Sequence, residues 1–316
     1  MNPFSLQLQF GLIQVRIEWE GSALAEPIRH PYRYSSFYRP QTENPDLLIK
    51  IHCGGSLPSR PDGCDLLFHA EEAWSVYRDK ERYLFEGVET PGASDPYVTW
   101  RGWAGKELTC VDFFVLPERG LQAPPIWYLS RLMHPLHLLL SARLPLMGGL
   151  FLHALGIAYQ GEGLLLLGGD GAGKSTLAGL WNKRGTGAVL NDDRLILQKE
   201  KGEWVLFSTP WHGDFQKISP TAVSLKRLYT ISHASSNRLE TLPKKEAVKT
   251  LMRQLFLAFW HREVIENALT LCAELAEGFP MRSFGFIKDP SAVDSLLGSF
   301  NSAPDFRPVS PAEAPT

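Results

Sequence analysis

The sequence predicts an α/β domain built around a phosphate-binding loop, preceded by a small β-rich amino-terminal domain. Three observations predict it. The apolar run Leu164-Leu165-Leu166-Leu167 leads into Gly168-Gly169-Asp170-Gly171-Ala172-Gly173-Lys174-Ser175, and helical spacing of Leu177, Leu180 and Trp181 follows. A second short apolar run, Ala188-Val189-Leu190, ends in Asn191-Asp192-Asp193. From Leu6 to about Leu116, by contrast, short apolar-polar alternations are punctuated by Gly, Pro, Asn and Asp, the pattern of successive strands.

Taken in order, the expected strands of the first domain (1–120) are Ile13 to Trp19, Leu48 to Cys53, Trp74 to Tyr77, Tyr83 to Phe85, Tyr97 to Trp103 and Leu108 to Val115. Its tryptophans Trp74, Trp100 and Trp103 read as core. Pro117 to Pro125 reads as a linker. The second domain (126–300) opens with a helix from Ile126 to Ala142, carrying Leu129, Leu132, Met133, Leu136 and Leu140 on one face. Pro135 is expected to kink or divide it. Leu150 to Tyr159 pairs with Leu164 to Leu167 through the turn Gln160 to Gly163. The loop follows, then a helix from Thr176 to Lys183, then Ala188 to Leu190 as the next parallel strand. Arg194 to Gln198 pairs with Trp204 to Phe207 across Glu200-Lys201-Gly202. Helices are expected over Glu246 to Phe259, Glu263 to Glu277 and Ser291 to Leu297, with a strand over Met281 to Ile287. The tail Ser302 to Thr316, rich in Pro, Ala and Ser, is expected to be disordered.

The glycine loop satisfies G-x-x-x-x-G-K-[ST] at every fixed position. Glycines let backbone amides curl around phosphate oxygens, and the helix start adds its positive end. Gly168, Gly169, Asp170, Gly171, Ala172, Gly173, Lys174, Ser175 and Thr176 are therefore the candidate nucleotide-binding set. Lys174 can reach the outer phosphates, and the Ser175 hydroxyl can hold magnesium. Two parallel strands joined by so short a helix end at one sheet edge, which brings Asp192 and Asp193 to the phosphates. One carboxylate can hold the metal while the other accepts a proton from an attacking hydroxyl. His153, inside an apolar strand, reads from periodicity as a core residue. Trp211-His212-Gly213 is a candidate acceptor site, with an ordinary Pro-Trp turn as the alternative. Lys217, Lys226 and Arg227 are further cations that could face a phosphoryl group, or solvent.

The order His153, then Gly168 to Ser175, then Asp192-Asp193-Arg194 resembles the HPr serine kinase/phosphorylase family. More broadly it is similar to the P-loop kinases that share a fold with phosphoenolpyruvate carboxykinase. The resemblance covers about Leu150 to Leu197 well and is looser from Lys226 to Gly298, where helix, helix, strand and helix follow in similar order. It implies ATP and magnesium as cofactors and transfer of the γ-phosphate to a hydroxyl, that of a serine on a small protein or peptide. It implies Asp192 as proton acceptor, Asp193 as metal ligand and a catalytic role for His153 in orienting a carboxylate or the phosphate. The family's further glycine-rich signature, tied to phosphorylase activity, is replaced by Ser208-Thr209-Pro210-Trp211-His212-Gly213-Asp214. That segment resembles divergent HPr-kinase-like proteins found near peptide-modification genes, and it argues against a reverse phosphorylase. A small-molecule kinase, and a nucleotide switch or ATPase without a phosphoacceptor, are the alternatives. No Glu or Gln to orient water follows Asp193 closely, no Leu-Ser-Gly-Gly-Gln occurs, and no basic, metal-binding cluster suited to a carboxykinase precedes the loop.

Composition sets outer limits. The 316 residues, 44% hydrophobic and 21% charged, suit one large or two ordinary globular domains. A net charge of -2 gives no electrostatic case for nucleic acid. Cys53, Cys64, Cys110 and Cys272 form no C-x-x-C pair and suit reduced thiols. Met1 to Glu20 lacks a signal-peptide core. The apolar stretch Leu136 to Tyr159 is broken by Arg143, Pro145, Gly148-Gly149 and His153. The expectation is a cytoplasmic protein with no membrane partner, its oligomeric state left open.

Overall fold

The computed structural model describes residues 4–20, 32–53, 56–70, 74–89, 97–116 and 133–301. These form two units, each with an eight-stranded sheet. One holds the described residues within Met1–Leu139 together with Phe259–Arg262; the other holds those within Leu140–Ala258 and Glu263–Thr316. The expected linker Pro117 to Pro125, the helix start at 126–132 and the tail Ser302 to Thr316 lie outside the described residues.

The first unit contains β1 (Phe4–Phe10), β2 (Ile13–Glu20), β3 (Leu47–Cys53), β4 (Asp65–Ala70), β5 (Trp74–Asp79), β6 (Arg82–Glu89), β7 (Tyr97–Gly105) and β8 (Cys110–Val115). Their order in the sheet is β1-β2-β3-β8-β7-β6-β5-β4. In β2 the residues Ile13, Val15, Ile17 and Trp19 are buried, while Gln14, Arg16 and Glu18 between them are half-exposed. That period of two is what one solvated face and one packed face impose. The expected strands are present, but β2, β3 and β8 pair in parallel, so Ile17, Ile49 and Val111 align across them. Trp100 is buried and crosses Gly87, where a Cβ would lie 1.8 Å from its ring. Trp74 and Trp103 are only half-buried, Trp74 stacked on Phe68 at 4.9 Å and Trp103 lying under the Arg82 guanidinium.

Helix α1 (Met133–Leu146) runs undivided through Pro135, and the expected helical segment before Met133 lies outside the described residues. The second unit continues with β9 (Gly149–Tyr159), β10 (Glu162–Leu167), α2 (Lys174–Arg184), β11 (Ala188–Asn191), β12 (Arg194–Glu200), β13 (Glu203–Phe207), β14 (Ala222–His233) and β15 (Arg238–Thr241). It closes with α3 (Lys244–Arg253), α4 (Arg262–Gly278), β16 (Met281–Phe286) and α5 (Ser291–Asn301). The pairings β9–β10, β10–β14, β14–β13, β13–β12 and β12–β9 run in a closed circuit. Gly156 gives this circuit its interior room: a Cβ there would lie 2.8 Å from Leu195 and 3.2 Å from Leu206. On the other side Leu155, Ile157, Leu164, Leu166 and Ile231 bury α2 and α5 through Leu177, Trp181, Val293 and Leu296. Trp181 is fully buried, and truncating such a tryptophan costs about 3–5 kcal/mol, so this layer fixes α2 firmly beneath the loop.

Two expectations are corrected by the structure, and one strand goes beyond them. Ala188 to Leu190 does run parallel to the strand before the loop, yet the two are not neighbours: β9 lies between them, antiparallel to both. The helix expected over Glu246 to Phe259 stops at Arg253, because the next residues bond to β9, with His153 N–H on Gln254 O and Phe256 N–H on Phe151 O. The twelve-residue strand β14 is not anticipated, since Ser224, Lys226 and Arg227 interrupt its apolar pattern. Among the described residues no helix is long and apolar enough to cross a membrane.

Cys272 lies inside α4, fully buried, and burial pushes its thiol up to about 12. Thiolate is the reactive form. In native protein at pH 8, a disulfide reagent is expected to leave Cys272 unlabelled while exposed Cys110 reacts, and denaturant is expected to release Cys272. Native labelling of Cys272 as fast as Cys110, read by peptide mass, would contradict this packing.

Candidate functional site

The buried run Leu164–Leu167 brings the backbone to the sheet edge, where glycine is required for two reasons. Gly168 has no room for a side chain, since a Cβ would lie 2.7 Å from Ala172 Cβ and 3.1 Å from Ile231. Gly171 and Gly173 adopt φ of +74° and +98°, a left-handed backbone that L side chains rarely take. Above Gly169 and Gly171 a Cβ would meet nothing within 4 Å, so the hollow of the loop is open. The Ala172 N–H donates to Gly169 O at 3.2 Å, and Leu177 N–H donates to Gly173 O at 2.9 Å to start α2. Lys174 is 7% exposed and its Nζ donates to Gly168 O at 2.7 Å and to Gly169 O at 3.2 Å. Burial holds its ammonium below the usual lysine range, with Asp170, Asp193 and Asp192 acting the other way. Asp170 and Thr176 are exposed at the rim.

Buried Asn191 shapes the opposite wall. Its Nδ2 donates to Thr209 O at 2.9 Å and Trp211 O at 3.0 Å; its Oδ1 accepts from Asp193 N–H at 2.9 Å and Arg194 N–H at 3.2 Å. This side-chain turn ends β11 and gives the two aspartates different surroundings. Asp192 is 1% exposed. Its Oδ2 accepts the Ser175 hydroxyl at 2.6 Å and Phe215 N–H at 3.0 Å, and its Oδ1 accepts Gly213 N–H at 2.8 Å. Asp193 is more open. Its Oδ1 lies 3.2 Å from His153 Nε2, and its Oδ2 pairs with the Arg194 guanidinium.

His153 is not an enclosed core residue. It stands beside Arg194 in the β9–β12 register, with Nε2 3.8 Å from Asp170 as well. Burial and the Lys174 charge hold its pKa below the ordinary histidine value, while Asp193 and Asp170 pull upward. Phe256 completes this corner, under the Arg194 guanidinium and 6.1 Å from the His153 ring.

The segment Trp211-His212-Gly213 divides. Trp211 is buried and meets Phe151 edge-on at 6.2 Å, so its expected place in an acceptor site is revised to an anchor in the core. Gly213 is closed onto Asp192, whose Oδ2 would be 3.0 Å from an added Cβ, and His212 Nδ1 lies 2.9 Å from Gly213 O. Lys226 and Arg227 sit at the amino end of β14, away from the loop. A hollow of about 780 Å3 lies there, but its Lys199, Lys226 and Lys244 pair with Glu274, Glu162 and Glu277. Lys217 is exposed. Asn191, Arg194 and Phe256 carry parts of the wall that sequence spacing does not assign; the Asn directly before the aspartate pair is the one local signal.

The donor set suits magnesium, which takes one or two carboxylates and completes its shell with water and substrate phosphates. Ser175 Oγ and Asp192 Oδ2 are hard oxygens at the loop. Among the described residues no three His, Cys, Asp or Glu side chains form a ready cage.

No protein-family model matches the chain. No curated protein matches it either. Among solved structures it is similar to one described as the Hpr(Ser) kinase/phosphatase from Coxiella burnetii, at 13% identity and a TM-score of 0.29, with 47% of this chain and 94% of that chain covered.

Proposed function

We propose that the second unit is an ATP- and magnesium-dependent phosphotransferase that moves a terminal phosphoryl group to a hydroxyl. The observation that carries this reading is the Ser175–Asp192 hydrogen bond, which joins an open phosphate loop to an aspartate pair with a histidine beside it. Bound magnesium supplies charge neutralisation at the phosphate oxygens.

The chain's own residues divide the remaining work. The loop amides hold the phosphates, and Lys174 turns from the Gly168 and Gly169 carbonyls to their oxygens. Asp192, enclosed by Ser175, Gly213 and Phe215, fixes the metal side. Asp193 takes the hydroxyl proton at a carboxylate oxygen. Neutral His153 orients it through Nε2, and Arg194 holds its other oxygen. This exchanges the two aspartate roles that the family resemblance implies. The reason is access: a carboxylate that already accepts a hydroxyl and two amides out of contact with solvent has little capacity for an incoming proton. The acceptor we favour is a serine of a small protein or peptide, approaching past His212 and Gly213.

With γ-labelled ATP and magnesium, label is expected on a hydroxyl acceptor from a cell lysate, stable to the acid that hydrolyses acyl phosphates. Free phosphate as the sole product would instead support the switch or ATPase reading.

A further inference from the structure

A triphosphate seated on Gly168–Ser175 has two ends. Its terminal phosphate belongs with Asp192, Asp193 and His153, on the flank of β10 where β9 and β11 lie. The nucleoside must then leave over the other flank. There β14 runs parallel to β10, and β16 runs parallel to β14, so the carboxyl ends of all three meet the same edge.

The last residues of β14 and β16 are His233 and Phe286, opposite each other in the register. Their rings are 5.1 Å apart and inclined by 53°. Phe286 is fully buried and His233 is exposed. Both press on the loop itself: a Cβ on Gly173 would lie 2.5 Å from His233 Cε1 and 2.7 Å from Phe286 Cζ. An exposed imidazole thus stands on the shoulder of the loop, backed by a rigid phenyl ring, on the side where a nucleoside leaves. Phe286 belongs to the buried core cluster, whereas exposed His233 lies outside it.

We infer that His233, supported by Phe286, is the platform on which the base of the bound nucleoside triphosphate stacks. The inference rests on the reading that Gly168–Ser175 holds a triphosphate. Stacking reads the face of a base, and every nucleobase presents one. A bare polyphosphate has none, which isolates the platform from the loop.

Calorimetric titration of the full chain with Mg-ATP and with Mg-tripolyphosphate tests it. His233→Ala is expected to weaken ATP about tenfold while leaving tripolyphosphate affinity unchanged, and His233→Phe is expected to recover ATP binding. Unchanged ATP affinity in His233→Ala overturns the inference. So does equal weakening of both ligands, which would make the ring a prop for the loop's shape. Wild-type protein that binds neither ligand overturns the triphosphate reading, and the platform with it.

Discussion

Lys174→Ala is expected to abolish productive nucleotide binding while the protein stays folded. The side chain is enclosed along its stem, and its ammonium ends on two carbonyls of the loop, Gly168 and Gly169. Those carbonyls border an open hollow, so water can replace the lost donor and the loop keeps its partners. No such substitute exists for a positive charge facing the outer phosphates in a partly dry site. Removing one preorganised donor from a transition-state charge typically costs about 100- to 1,000-fold in turnover, and a full charge sits at the upper end. Isothermal titration with Mg-ATP and the label-transfer assay give the two readouts, with the thermal transition as the control for folding. An alanine variant with wild-type affinity and turnover would remove the phosphate loop from any account of this chain.

The aspartates give the second large effect, and they are expected to fail differently. Asp193→Asn is expected to keep Mg-ATP affinity and lose transfer by about 100- to 10,000-fold, the range typical of a lost proton acceptor. Asp192→Asn is expected to raise the magnesium concentration needed for half-maximal activity. It also faces a local conflict. Its amide nitrogen must point at Gly213 N–H or at Phe215 N–H, donor against donor. An unsatisfied buried group of that kind costs about 1–3 kcal/mol, so its melting temperature is expected to fall as well. Magnesium titrations of transfer rate, run beside thermal melts, separate the two variants. The reverse pattern, with magnesium demand raised in Asp193→Asn and chemistry lost in Asp192→Asn, would restore the assignment implied by the family resemblance. Full transfer in both would end the phosphotransferase mechanism.

What was legible in the sequence was local. The hairpin β9–β10 follows from two apolar runs around Gln160 and Gly161, which take φ of +53° and +80° as a tight turn requires. The loop and its helix follow from glycine spacing and from Leu177 and Trp181. What was not legible depends on pairing at a distance. His153 meets Asp193 only because β9 and β12 pair with Arg194 opposite His153, a register no short window contains. β14 hides its identity because Ser224, Lys226 and Arg227 break its pattern at one end and Thr230, Ser232 and His233 at the other, while Leu228, Tyr229 and Ile231 are buried on both faces of the sheet. Trp211 shows the converse error. A Trp-His-Gly string suggests a ligand loop, yet the indole packs against Phe151, and the backbone of the same loop is what approaches Asp192.

Asn191 and Asp192 reach across to Thr209, Trp211, Gly213 and Phe215, while Ser208 Oγ bonds back to Leu190 O. Residues 188–192 and 208–215 are therefore one heritable cassette, although a whole hairpin separates them in the chain. A chimera with a crossover inside β12–β13 would join an aspartate from one parent to a clasp from the other. Such a protein would keep its glycine loop intact and still misplace the carboxylate on which Ser175 depends. Shuffled or redesigned versions should carry the two segments together, with Asp193 and Arg194 taken from the same parent, because Thr209 Oγ1 bonds to Arg194 O and Arg194 stands opposite His153.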